Sequence, residues 1–290
     1  MAMLFTGKAD ARPTQTVEVP DVIKTKNGRS FEIGDRIASG GNGVVHKCIG
    51  VESGLEYAIK FQLDLRDKRR ARFKKEQELI KELEHDHLIV YVDDGDQSGI
   101  LRRNGKRDNN VFIQFIVMEL ANSSLSDLIR ENNVPAEIFT AQFRGLARAL
   151  GVLHAKAVHR DIKPDNILVM GDRWVLSDYG LCDPHVRSED DHFTPDWEIV
   201  GPRFWMSPEA NNRSLGSKDV INAASDVFQL ASVFWFVVNR SHPTGVLSRS
   251  DWKGPDALFT PIFRALHHDC AIRPENGISF AEQIDAAIFS

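Results

Sequence analysis

The run His159-Arg160-Asp161-Ile162-Lys163-Pro164-Asp165-Asn166, followed after a short gap by Asp178-Tyr179-Gly180, constrains this chain more than any other feature. It sets three carboxylate or amide side chains, those of Asp161, Asn166 and Asp178, beside the ammonium of Lys163. Each group has its own chemistry. An aspartate can accept a proton from a hydroxyl, a second aspartate and an asparagine supply the oxygen donors that hard divalent cations take, and a lysine can neutralise developing negative charge. Seen alone, such a run could be a charged surface loop. Its weight comes from the other segments that accompany it in order along the chain.

Upstream, Ile37-Ala38-Ser39-Gly40-Gly41-Asn42-Gly43-Val44-Val45 is a glycine-rich turn between apolar residues. Glycine lets backbone approach a phosphate closely and takes torsions that other residues avoid. Tyr57-Ala58-Ile59-Lys60 reads as a strand ending in a lysine. From Arg66 to Glu84, Phe73, Leu79, Ile80 and Leu83 fall near helical spacing with charges on the other face. Val111 to Leu120 is an apolar strand that ends at Met118-Glu119-Leu120-Ala121. Downstream come Gly201-Pro202-Arg203-Phe204-Trp205-Met206-Ser207-Pro208-Glu209, Asp226-Val227-Phe228-Gln229-Leu230 and Ala271-Ile272-Arg273-Pro274. Each has an ordinary reading by itself: a tight hairpin, a solvated lysine, a glutamate such as Glu76 paired with Lys75 or Lys81 on the helix surface.

Together and in this order, the segments resemble the motifs of the eukaryotic-type protein kinases, over roughly residues 31–288. The resemblance implies an α+β, bilobal fold: a small antiparallel β-sheet lobe with one helix, and a larger, mainly α-helical lobe, with ATP between them. Residues 1–30 are then an N-terminal extension, 31–118 the small lobe, 119–122 the hinge and 123–290 the large lobe. The polar first stretch, with Pro13 and Pro20, reads as a mobile arm or a strand extension; the sequence leaves both open.

Site residues follow from the same resemblance. Gly40 and Gly43 match the second and third glycines of the phosphate-covering loop, Ala38 replaces the first, and Val45 matches the valine that packs on adenine. Lys60 is the lysine that reaches the α- and β-phosphates. The family places the glutamate that orients it nine residues before a histidine, which from His85 gives Glu76, with Glu78 as the alternative register. Met118 would guard the pocket behind adenine, and the backbone of Glu119 and Ala121 would bond the base. Val45, Ala58 and Leu168 would surround adenine, with Ile80, His159 and Tyr179 stacked beside them. Asp161 would orient the acceptor hydroxyl, Lys163 would stabilise the transferring group, and Asn166 and Asp178 would hold Mg²⁺, or Mn²⁺ in its place. Glu209 would pair with Arg273, and Asp226 would brace the catalytic-loop backbone.

The acceptor is less sharply marked. Lys163, two residues after Asp161, follows the serine/threonine-kinase pattern, whereas Pro202-Arg203-Phe204-Trp205-Met206 looks more like the tyrosine-kinase form. Lys163 is given the greater weight because it would touch the transferring group. A tyrosine or dual-specificity kinase is the alternative. A pseudokinase scaffold is less favoured, because Lys60, Asp161, Asn166 and Asp178 are all present. Arg160 is placed to pair with a phosphate on Ser188 or, preferentially, Thr194; the acidic residues Glu189, Asp190, Asp191, Asp196 and Glu198 could take that place without modification.

Composition sets outer bounds. A net charge of -5 gives no sign of a nucleic-acid binder. Three widely spaced cysteines, Cys48, Cys182 and Cys270, form no disulfide framework or zinc spacing. No secretory signal or membrane anchor is evident, and the apolar run Val233 to Val238 reads as part of a buried helix. A cytoplasmic enzyme acting on protein substrates, itself among them and with a transient homodimer for that step, is the expectation. Asn104-Gly105, inside the basic stretch 102–107, predicts a hairpin turn.

Overall fold

A computed structural model describes residues 1–5, 15–40, 43–131, 134, 136–184 and 204–289. The chain divides into two compact units. One holds Met1–Glu82 and Val90–Leu120; the other holds Leu83–Ile89 and Ala121–Ser290.

The smaller unit contains strands β1 (Ala2–Leu4), β2 (Gln15–Val19), β3 (Val22–Lys24), β4 (Ser30–Gly40), β5 (Gly43–Gly50), β6 (Glu56–Phe61), β7 (Tyr91–Arg103) and β8 (Lys106–Glu119). Helix α1 (Asp67–Glu82) lies between β6 and β7 in sequence. The strands form one eight-stranded sheet in the order β1-β2-β7-β8-β6-β5-β4-β3. Residues 1–30 therefore contribute strands to the sheet, the second of the two options that the sequence left open. The signal was present in Val17 and Val19, whose two-residue spacing puts both on one face, where they are 1% and 0% exposed. The same period runs through β5 and β8, and the inward residues, among them Ile23, Phe31, Cys48, Ile59, Phe61, Phe115 and Val117, make one apolar core. Burial there pushes the Cys48 thiol up to about 12, so it packs as an inert apolar group.

The turn from β7 to β8 falls at Asn104-Gly105, both left-handed with φ of 49° and 77°. That conformation matches the right-handed twist of the two strands and explains the residue pair. The basic residues beside it are paired locally: Arg102 with Glu18 of β2 at 2.6 Å, and Arg103 with Asp108 at 2.7 Å.

Helix α1 turns Phe73, Glu76, Gln77 and Ile80 inward, the spacing of one helical face. Two of those four are polar and must find partners. Gln77 Nε2 donates to the Phe115 carbonyl at 3.1 Å, and Glu76 meets Lys60.

The larger unit opens, after the segment 83–89, with β9 (Ser123–Ser124) and α2 (Leu125–Arg130). Ser124 and Asp127 cap α2 reciprocally. Then follow α3 (Phe139–His154), β10 (Ala157–Val158), β11 (Ile167–Met170), β12 (Arg173–Leu176), β13 (Asp183–Pro184), α4 (Pro208–Ser214), α5 (Ala223–Asn239), α6 (Asp256–Ala265) and α7 (Gly277–Phe289). Strands β12, β11 and β9 form a small sheet, and β10 pairs with β13. The segment 83–89 is bonded into this unit: Ile89 N–H donates to the Leu176 carbonyl at 3.0 Å, and Leu176 N–H to the His87 carbonyl at 2.9 Å. The core is built on aromatic stacking, with Phe143 on Phe234 at 3.9 Å between centroids and Phe234 on Phe280 at 6.0 Å. The run Val233 to Val238 lies in α5, and Val233, Phe234, Trp235 and Val237 are buried. Among the described residues, no helix is long and apolar enough to cross a membrane.

Candidate active site

In the smaller unit, Lys60 is the penultimate residue of strand β6 and is 6% exposed. Its Nζ lies 2.6 Å from Glu76 Oε1. Both groups are buried, and each is tolerable there because the other is present. Glu78, the alternative register, instead pairs at the surface with Lys74. The ordinary partner considered for Glu76, Lys81, engages Asp94.

The glycine-rich turn joins β4 to β5, with Ala38 opposite Val45 and Gly40 opposite Gly43. Gly43 has φ of +143°, and a Cβ there would lie 2.2 Å from the Phe61 carbonyl oxygen. Only glycine fits, because both the torsion and the space exclude a side chain. At Gly40 a Cβ would meet nothing within 4 Å, so glycine is not required there by the fold. Ala58 pairs across the sheet with Met118, and Tyr57 with Glu119. Glu119 N–H donates to the Val90 carbonyl at 3.1 Å, so a backbone contact from this residue to a base falls to its carbonyl. Ala121 begins the second stretch of the larger unit.

In the larger unit, Asp161, Lys163, Asn166 and Asp178 come together. The Asp161 carboxylate, 5% exposed, takes Lys163 Nζ at 3.0 Å and Asn166 Nδ2 at 2.8 Å. Asn166 Nδ2 also donates to the Asp161 carbonyl at 2.8 Å. With its nitrogen committed to Asp161, Asn166 offers Oδ1 as the ligating atom. Ser177 holds the Asn166 carbonyl twice, through its N–H and its hydroxyl, each at 2.9 Å. That fixes Asp178, two residues past the end of β12, beside the loop 159–166. Asp178 takes a left-handed φ of 61°, a conformation aspartate tolerates better than most residues. Leu168 lies on β11, directly after the loop.

Burial raises the Asp161 pKa above the ordinary carboxylate value; the hydrogen bond and charge of Lys163 and the charge of His159 pull it back, and Asp178 adds a smaller upward push. The result is a carboxylate that can hold a proton more readily than a surface aspartate. Asn166 and Asp178 supply an amide oxygen and a carboxylate oxygen, which fits Mg²⁺, an ion that takes one or two protein ligands and completes its shell with water and substrate phosphates. Among the described residues there is no cluster of three or more His, Cys, Asp or Glu that would hold a metal without such help.

The loop itself is held from α5. Asp226, 0% exposed, accepts His159 N–H at 2.6 Å and Arg160 N–H at 2.8 Å, and lies 3.0 Å from His154 Nε2. Arg160 has φ of 71°, so these bonds fix a left-handed backbone that would otherwise relax. The His159 and Tyr179 rings lie 5.8 Å apart, and the Tyr179 hydroxyl donates to the Leu176 carbonyl at 3.1 Å. Glu209 and Arg273 form a two-point ion pair at 2.8 Å each. Ser188, Thr194, Pro202 and the acidic residues between 189 and 198 lie outside the described residues.

Four supporting groups escaped the sequence reading: Ser177, Gln229, His154 and Asp183. Gln229 Oε1 accepts Ile162 N–H at 2.9 Å. It lies three residues after Asp226, hence on the same helical face, and that spacing was the available signal. Asp183 Oδ2 lies 3.3 Å from Arg160 Nη1, an acid from β13 where a later part of the segment was expected. Nothing local in the sequence marks that contact.

Comparison with known proteins agrees with the geometry. The protein kinase domain family matches residues 31–265. The chain is 32% identical over 189 residues to serine/threonine-protein kinase pak-1 of Caenorhabditis elegans, covering 64% of this chain and 30% of that one. It is 30% identical over 186 residues to serine/threonine-protein kinase PAK 1 of Mus musculus, covering 62% and 30%. It is 30% identical over 247 residues to mitogen-activated protein kinase 5 of Oryza sativa subsp. indica, covering 80% and 62%. The chain thus spans less than a third of the two PAK relatives and less than two thirds of the plant enzyme. A match over most of its own length, on top of a buried Lys60–Glu76 pair and a braced Asp161–Lys163–Asn166 cluster, places the chain in the protein kinase domain family.

Proposed function

We propose that this chain transfers the γ-phosphoryl group of ATP to serine or threonine hydroxyls of protein substrates, itself included. The observation that carries this reading is the Asp161 carboxylate, buried and held by both Lys163 and Asn166. Its relatives from worm and mouse, both serine/threonine-protein kinases, support the same acceptor class.

In this reading the acceptor oxygen bonds to the γ-phosphorus as the bond to the β,γ-bridging oxygen breaks, and ADP leaves. The hydroxyl proton passes to the Asp161 carboxylate, which burial has made the more ready to take it. Lys163, 3.0 Å from that carboxylate, is the cation that would offset charge developing on the transferring group. Lys60, set by Glu76, holds phosphate oxygens in the smaller unit. Asn166 Oδ1 and the Asp178 carboxylate would hold Mg²⁺, which when bound neutralises phosphate charge. Asp226 and Gln229 act only by keeping the loop backbone in place. Phosphorylation of Thr194 or Ser188 as an activating step belongs to this proposal. So do a cytoplasmic setting, protein rather than nucleic-acid partners and a transient homodimer for self-phosphorylation.

The test is incubation of the purified chain with labelled ATP and Mg²⁺, beside Asp161→Asn, followed by phosphoamino-acid analysis. Phosphoserine or phosphothreonine, absent from the variant, is expected. Phosphotyrosine would show that the segment around Trp205 chooses the acceptor instead of Lys163. Nucleotide binding without label in any protein would point to a scaffold and overturn the reading.

A further inference from the structure

Asp94 lies on β7 and is 1% exposed. Two lysines from different elements reach it. Lys26, in the turn between β3 and β4, puts Nζ 3.2 Å from Oδ1, and Lys81, in the last turn of α1, meets Oδ2. The same turn is fastened to the neighbouring Asp93, 0% exposed, by Thr25 Oγ1 at 2.8 Å and Asn27 Nδ2 at 2.9 Å. Lys26 N–H donates to the Asp94 carbonyl at 2.9 Å. Burial alone would raise the Asp94 pKa, but the bonds and charges of Lys81 and Lys26 outweigh it and hold the group below the usual range. Lys81 Nζ also lies 5.3 Å from the centre of the Tyr91 ring.

Helix α1 is the element that carries Glu76, and its rotation decides whether Glu76 reaches Lys60. A turn of about 20° about the axis moves a side-chain tip, at a radius of about 6 Å, by about 2 Å. That is enough to break a contact of 2.6 Å. Phe73 and Ile80 resist rotation only through packing, which is not directional. The bond from Gln77 to the Phe115 carbonyl is directional, and the ion pair of Lys81 with Asp94 adds a point attachment at the end of the helix. The second attachment also binds the turn that follows β3, so the first 30 residues bear on the helix through one carboxylate.

We infer that Asp94 is a positioning residue: it joins the last turn of α1 to the β3–β4 turn and so fixes the rotation at which Glu76 meets Lys60. This rests on the kinase reading above. A buried carboxylate that only stabilised the sheet would act on folding and leave the Lys60–Glu76 pair untouched, and the two roles separate in a double-variant experiment.

The full chain is prepared as wild type, Lys81→Met, Lys81→Arg and Lys26→Met, and each substitution is repeated in a Glu76→Gln background. Initial rates of label transfer from ATP and affinity for a fluorescent ATP analogue are measured, with thermal melts as the folding control. Lys81 is 40% exposed in its side chain, so its replacement is compatible with folding. Lys81→Met is expected to lower the rate about tenfold, and Lys81→Arg to recover most of it, as suits loss of a charge-assisted tie. In the Glu76→Gln background, Lys81→Met should cause no further loss. An unchanged rate in Lys81→Met, or a full additional loss in that background, would overturn the inference. The affinity measurement needs no turnover. A chain that binds the analogue but never transfers phosphate would overturn the kinase reading; the role of Asp94 is then decided by affinity, which Lys81→Met should weaken in the wild-type background and leave unchanged in Glu76→Gln, equal weakening in both overturning the inference.

Discussion

The Glu209–Arg273 pair allows a prediction with a worked magnitude. The Arg273 side chain is 0% exposed and that of Glu209 10%. Arg273 gives two bonds to Glu209 and others to the His267, His268 and Ala224 carbonyls, and the Ser225 hydroxyl donates to Glu209 at 2.6 Å. Burial by itself would raise the Glu209 pKa. The bonds from Arg273 and Ser225 and the arginine charge reverse that and hold it at about 2, from an ordinary 4.5. At about 1.36 kcal/mol per unit the shift corresponds to about 3 kcal/mol, and partial solvent screening brings the expected contribution to about 2 kcal/mol. A carboxyl with a lowered folded pKa binds fewer protons folded than unfolded. Its contribution is therefore complete above about 4.5 and lost as pH falls toward about 2. Arg273→Met should cost more than the pair contributes, about 3–5 kcal/mol, because it leaves Glu209 charged and buried. Glu209→Gln with Arg273→Met should recover part of that loss. The assay is urea unfolding followed by tryptophan fluorescence at neutral pH and near pH 3. The tryptophans among the described residues, Trp174, Trp205, Trp235 and Trp252, lie in the larger unit, so their signal reports on the part that holds the pair. A midpoint unchanged in Arg273→Met, or an acid-sensitivity in that variant equal to wild type, would refute the reasoning.

Other expectations follow from the site. Because Asp161 must be ionised to accept a proton and its pKa is raised, the acid limb of the rate profile should lie above that of an ordinary aspartate. Lys163→Met should move that limb higher still, and a limb that stays in place would remove Lys163 from the electrostatics. Asp226→Asn should lower turnover at least tenfold, since it weakens bonds to two backbone N–H groups of a left-handed loop, at about 1.4 kcal/mol per factor of ten; circular dichroism should show the helices retained. Gly43→Ala should lower nucleotide affinity and destabilise the smaller unit by about 2 kcal/mol, whereas Gly40→Ala should shift its melting by less than about 0.5 kcal/mol. Equal effects of the two would contradict the steric account.

How far the site was legible in the sequence depended on whether its logic was local. Asp161, Lys163 and Asn166 lie within one turn of loop, so spacing in the chain is close to spacing in the fold. Asn104-Gly105 was legible for the same reason, since its torsions are set by the residues themselves. Glu76 needed a count from His85, because several glutamates on α1 look alike in sequence and only burial separates them. The contacts that could not be read join distant segments. Val17 and Val19 alternate like a strand, but nothing in them says that β2 pairs with β7. Lys81 and Lys26 meet at Asp94 across 13 and 68 positions, and each alone is an ordinary surface lysine. Arg160 found Asp183 through the pairing of β10 with β13, a bond between backbones that side-chain identity does not announce.

The placement of residues 83–89 decides how this protein can be taken apart. The chain enters the larger unit for those seven positions and then returns to finish the sheet. Leu88 and Ile89 are each 1% exposed there, on Leu176 and its neighbours. A fragment stopped at residue 120 would carry both apolar side chains away from Leu176. A fragment started at residue 121 would leave the backbone of Leu176 without the bonds it makes to His87 and Ile89. Neither half is a free-standing module, so expression of either should yield aggregates, and a split version would need its break inside the sheet loops, at Gly54 or Gly105, and not at the apparent border.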